Sequence, residues 1–169
     1  MSKRDPIPPA FLFHHPAHFI ALGFGSGLLP GMPGTWGTLP AIPVALFLRA
    51  LHNDALYLAA TALLIAVGTW AAHITGQRLN EPDHSGIVID EIAAFVLMLF
   101  FTDGSWQHIA LAFVLFRLFD ILKPPPIRYF DTRMKNGIGV MLDDLLAAAY
   151  ALLAMVALLR LWIFFAAPA

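Results

Sequence analysis

The sequence has no cysteine. That absence excludes disulfides, thiolate metal sites and a cysteine nucleophile. Charge is scarce as well: Asp, Glu, Lys and Arg make up 12% of the 169 residues, where a soluble domain carries about 25%. The formal net charge is -1 and there is no basic run, so nothing favours nucleic acid as a partner. The N-terminal stretch MSKRDPIPPA has no signal-peptide core or cleavage site. Membrane entry is therefore expected from internal helices. None of Ser2, Ser26, Ser85 and Ser105 stands in a G-x-S-x-G context, and no P-loop or H-E-x-x-H is present.

What the chain does have is apolar residues, 59% of the total. The fold expected is all-α: a polytopic membrane helical bundle of four to five membrane helices plus an N-terminal interfacial or re-entrant segment. Residues 1–10 read as a flexible N-terminus and 11–169 as a single membrane-embedded domain. Phe11 to Leu29 is apolar but interrupted by histidines, Pro16 and glycines, hence the interfacial reading. LLPGMPGTWGTLPA follows as a loop and helix start. The apolar runs are Leu39 to Leu51, Ala55 to Ile74, Ile87 to Phe101, Gln107 to Leu122 and Ile138 to Phe165. A hydrocarbon core of ~30 Å takes about 20 helical residues, so several of these spans are short.

Lys and Arg fix the orientation. With five crossings, Lys3, Arg4, Arg78, Lys123, Arg128, Arg133 and Lys135 fall on one side, read as cytoplasmic. The turns at His52 to Asp54 and Thr102 to Ser105 hold no Lys or Arg. If Leu39 to Leu51 does not cross, the N-terminus moves outside and the basic loops stay in.

The acids gather on that basic side. Asp90 and Glu91 open the third run, Asp120 closes the fourth, and Asp143 and Asp144 open the fifth. Ionisable groups in a membrane helix cost a few kcal/mol each. Five carboxylates drawn to one depth call for a cation, and hard oxygen ligands suit Mg²⁺, which shares itself with substrate phosphate. The expectation is a metal-assisted phosphatase site for a lipid phosphate, with these five acids as metal-binding and catalytic residues. Arg117, Lys123 and Arg128 would neutralise the phosphate, with Lys123 and Arg128 held by an extended Pro124 to Pro126 strut. Thr35 and Thr38, with the glycine-rich backbone around them, would meet it from a helix start. Each element has a plainer reading. Acids at helix starts complement the macrodipole, Thr38 can serve as a cap, and basic loops touch anionic headgroups. His84 reads as a loop histidine; His14, His15 and His18 read as interfacial. Trp36, Trp70, Trp106 and Trp162 suit aromatic-belt positions. Two rival functions are a cation-coupled transporter and a CDP-alcohol-type phosphotransferase. The first expects a midplane site between repeats, and the second a D-G-x-x-A-R-type series that is absent.

PGTWGTLPA, DHSGIVIDEIAAF and FRLFDILKPPPIRYFDTRMKNGIGVMLDDLLAA, in that order, resemble the phosphatidylglycerophosphatase A family. The likeness runs from about Phe24 to Tyr150. It implies a bacterial inner-membrane enzyme, with its site on the cytoplasmic side, that hydrolyses phosphatidylglycerophosphate to phosphatidylglycerol and phosphate with Mg²⁺. The family's motif acids fall on Asp83, Asp90, Glu91, Asp120, Asp131, Asp143 and Asp144, and its basic positions on Arg117, Lys123 and Arg128. Ala148 and Asn136 stand where that family commonly has glycine; neither change removes a charged group.

Overall fold

A computed structural model describes residues 7–166, apart from the side chain of Asp131. The charges of Lys3 and Arg4 therefore lie outside the described residues, as does most of the expected flexible N-terminus. The last part of that stretch is ordered, since a 3-10 helix already runs over Pro9–Phe13.

Eight α-helices follow: α1 Pro16–Ala21, α2 Pro33–Thr38, α3 Ala41–Ala50, α4 Asp54–Leu79, α5 Ile89–Phe100, α6 Trp106–Leu122, α7 Ile127–Arg133 and α8 Gly137–Ala166. There is no strand among the described residues. Local chemistry sets the ends. Asn53 caps α4, its Oδ1 accepting from Leu56 N at 2.9 Å. Asn80 closes it in the left-handed region at φ 54°. Lys123 closes α6 in the same way at φ 42°.

Helix α5 is the hub. Nine of its twelve residues are buried, and α3, α4, α6 and α8 pack around it. The Phe95 ring packs on Phe116 of α6, with centroids 5.4 Å apart, and meets Phe113 at 5.9 Å. Tyr57 of α4 donates its hydroxyl hydrogen to Val96 O at 2.8 Å. Helices α3, α5 and α8 run one way and α4 and α6 run back. The starts of α5 and α8 thereby share one end of the bundle with the end of α6.

Two helices, α4 and α8, are long and apolar enough to cross a membrane. The other three expected crossings have 10, 12 and 17 residues, short of the ~20 a full span takes. The N-terminal segment packs on the end of α4 and leaves Phe13, Phe19, Phe24 and Trp36 exposed. Two expectations fail locally. The glycine-rich stretch at 33–38 is helix α2, not a loop. Pro124 to Pro126 form a turn, with a cis bond between Pro125 and Pro126, in place of an extended strut. That turn feeds directly into α7, whose Ile127 is fully buried.

The opposite end of the bundle is held by Arg49. Its Nη2 donates to Leu99 O and Thr102 O, both at 2.7 Å, where α5 runs out of partners for its last carbonyls. Nearby, the Asp103 carboxyl is pulled down to about 2, first by the Ser105 backbone N–H and then by His108. Arg49→Met keeps the apolar stem and removes both bonds. The expected stability loss is about 2 kcal/mol, read as a thermal midpoint lowered by about 4–8 °C in detergent. An unchanged midpoint would show that Arg49 does not fasten α3 to α5.

Candidate active site

At the acid end, Asp90 and Glu91 occupy the first turn of α5, where negative charge complements the helix dipole. Successive helical residues point about 100° apart, so the two serve different neighbours. Glu91 faces Arg117 of α6, which donates from Nη1 to Glu91 Oε1 at 2.9 Å. The same Nη1 lies 2.7 Å from Asp120 Oδ2, one turn on. Asp143 receives Lys123 Nζ on Oδ2 at 2.6 Å. Asp144 beside it is 3% exposed. Tyr150 donates to Pro125 O at 3.0 Å, tying the proline turn, and hence the placement of Lys123, to α8.

These side chains line one cleft of about 230 Å³. Asp83, Ser85 and Ile87 from the connection before α5 and Pro33 and Gly34 of α2 complete its wall. Helix α2 approaches so closely because its facing residues are glycines. A Cβ on Gly34 would run into the Glu91 carboxylate and come 2.7 Å from Arg117 Nη2. One on Gly37 would come 2.8 Å from Glu91 Oε2.

The cleft walls carry six acids against two bases. Among the described residues, Asp90 Oδ1 and Glu91 Oε2 are buried with no hydrogen-bond partner, a costly state for a carboxylate. Oxygen-only donors with unsatisfied lone pairs are what a hard divalent cation takes up. Among the described residues, no three acid or histidine side chains converge as a closed metal cage. The cleft therefore suits an ion that keeps water and takes one or two carboxylates, which is the habit of Mg²⁺. A closed site built from all five predicted acids does not form in this arrangement.

Seven predicted residues meet in the cleft: Asp90, Glu91, Asp120, Asp143, Asp144, Arg117 and Lys123. Three do not line it. Thr38 is fully buried and donates to Gly34 O at 2.8 Å, so its hydroxyl is already engaged inside α2. Thr35 is on the same short helix but off the cleft wall, and Arg128 is exposed on α7. Arg117 and Lys123 are present but engaged by acids rather than open to a ligand. The role of Gly34 as a close-packing residue was missed. Its signal was the P-G-T-W-G spacing, which places both glycines on one helix face. His84 stays a loop residue, with Nδ1 accepting from Gly86 N at 3.0 Å.

Known proteins resemble this chain over most of its length. Residues 19–159 match the family model described as Phosphatidylglycerophosphatase A. A Phosphatidylglycerophosphatase A from Haemophilus influenzae is 42% identical over 159 residues, covering 94% of this chain and 97% of that protein. The protein of the same name from Escherichia coli is 40% identical over 145 residues, covering 85% and 84%. A third relative, from Bacteroides thetaiotaomicron, is 39% identical over 140 residues, covering 78% and 86%, and bears a provisional name as a phosphatidylinositol-3-phosphatase. No solved structure matches. The matched region contains every acid and base of the cleft, and the chain belongs to the phosphatidylglycerophosphatase A family, a family of phosphatases.

Proposed function

We propose that the cleft hydrolyses the terminal phosphate monoester of phosphatidylglycerophosphate, giving phosphatidylglycerol and phosphate, at the cytoplasmic face of a bacterial inner membrane. The observation that carries this reading is the pair of buried, unpartnered oxygens on Asp90 and Glu91 in a cleft that also holds Arg117 and Lys123. Helices α3, α5 and α6 cross together with α4 and α8 as short spans, sheltered by the two long ones. The cleft lies at one end of the bundle, which argues against a midplane transport site.

The free oxygens of Asp90 and Glu91 would hold Mg²⁺, with water filling the rest of its shell. When bound it supplies charge neutralisation and a more acidic water. The remaining work falls to the chain. Arg117 and Lys123 offer N–H donors to the phosphoryl oxygens as their grip on Asp120 and Asp143 loosens. A buried carboxylate takes the proton from the attacking water. The new P–O bond forms as the bond to the lipid alcohol breaks, and the proton taken from the water is passed from the carboxylate to the leaving oxygen. Asp120 is engaged by Arg117, which makes it a poor nucleophile and leaves Asp144 or direct attack by water as the routes. A volume of about 230 Å³ admits a phosphoryl headgroup and leaves acyl chains outside.

Purified protein in detergent should release phosphate from phosphatidylglycerophosphate in the presence of Mg²⁺ and lose that release on chelation. Undiminished release with chelator would remove the metal. Release only from phosphatidylinositol 3-phosphate would move the substrate to that of the third relative. Asp144→Asn should keep its thermal midpoint and lose about 100-fold or more in kcat, the scale of an electrostatic catalytic group. Near-normal turnover would take Asp144 out of the site. Gly34→Ala should displace the Glu91–Arg117 pair and cost roughly 10- to 100-fold in kcat, since shifts of ~1 Å at a site carry such penalties. Full activity in that variant would show that α2 can back away freely.

A further inference from the structure

A second groove, about 520 Å³, lies beside the end of α4 and is lined by His14, His15, His18, Ile74, Gln77 and Arg78. The hydrolytic reading makes no use of it. His18 forms its fixed floor, 4% exposed, with Nδ1 3.0 Å from Thr75 Oγ1 and the ring stacked on Phe11 at 4.2 Å. His15 Nδ1 accepts from Ala17 N at 3.1 Å, which leaves Nε2 as the N–H donor of the neutral ring. Arg78 stands exposed in the last turn of α4. Burial lowers the pKa of His18, and His15, Arg78 and His14 then lower it further. Arg78 is the permanent cation among these neighbours. Among the described residues, no carboxylate pairs with any of the four.

The groove also has a polarity gradient. Trp70, Ile74 and Arg78 follow one another at four-residue steps, one face of a helix that is long and apolar enough to cross a membrane. The Trp70 ring lies 6.1 Å from that of His15. Trp70 stands just beyond the groove, and toward the helix end the wall itself passes from aliphatic Ile74 to cationic Arg78. That is the order of a phospholipid, with its chain toward the bilayer centre and its phosphate at the water.

We propose that this groove is a binding site for an anionic glycerophospholipid, separate from the acid cleft. Arg78, His14 and His15 take the lipid phosphate, and an acyl chain lies along Ile74 and Trp70. An occupied groove fastens α1 to α4. The segment it steadies also carries Ala21, whose carbonyl accepts from Val88 N at 2.9 Å, two residues before Asp90. The assignment rests on α4 crossing the membrane and not on the chemistry of the cleft.

The test uses full-length protein in nanodiscs of phosphatidylcholine with or without phosphatidylserine, whose phosphate is a diester and offers the cleft no monoester. Lipids retained on release are counted by native mass spectrometry. Wild type should retain phosphatidylserine over phosphatidylcholine. The preference should fall about fivefold in Arg78→Gln, the worth of one surface cation, fall further with His14→Gln added, and persist in Arg78→Lys. Equal retention of both lipids by wild type, or an unchanged preference in the double variant at an unchanged thermal midpoint, would overturn the site. Loss of the preference on adding inorganic phosphate would reassign the groove to a free anion and overturn the lipid. Phosphatidylglycerophosphate turnover, measured in parallel, separates the two readings: lost turnover with intact retention removes only the hydrolase.

Discussion

Arg117 holds carboxylates from two helices with one guanidinium nitrogen, Glu91 at 2.9 Å and Asp120 at 2.7 Å. Lys123 does the same work for Asp143. These bridges join α5, α6 and α8 at the end where each helix contributes acids. They offset only part of the local negative charge, because the cleft has far more carboxylate than cation. Breaking a buried pair by removing one partner costs about 3–5 kcal/mol, since it strands the other charge. The cleft is thus stable enough to form yet still short of positive charge, and that deficit favours uptake of a cation.

The rest of the bundle serves that arrangement. Helix α5 is buried on most sides, which holds Asp90 away from bulk water. Two glycines let α2 lie directly on the Glu91–Arg117 pair and exclude solvent from it. Tyr150 pins the proline turn, which puts the left-handed Lys123 where its amine reaches across to α8. Backbone ends, small residues and one hydroxyl act here as positioning devices for groups that carry the chemistry.

The apolar runs located α3, α4, α5, α6 and α8 closely, because long stretches without charge have few other uses. Helices α2 and α7 were not legible. They are six and seven residues long, rich in proline, glycine and aromatics, and are held by tertiary contacts such as the burial of Ile127, not by their own periodicity. The acids stood out because ionisable groups in apolar sequence demand explanation. Their partners did not, since Arg117 and Glu91 are 26 positions apart and nothing local pairs them. The histidines before α1 looked interfacial singly. Only the fold shows that they share a wall with the end of α4.

The polar ends of α5 are close together. From Asp90 to Thr102 is twelve residues, roughly 18 Å of helix, and each end is fastened by charge, with the acid cleft at one and Arg49 and Asp103 at the other. In the proposed membrane placement, the long α4 and α8 would carry the full ~30 Å span, and the short central helix would set both of its polar ends within that depth, so a headgroup would meet the acid cleft as a recess and not as a protrusion.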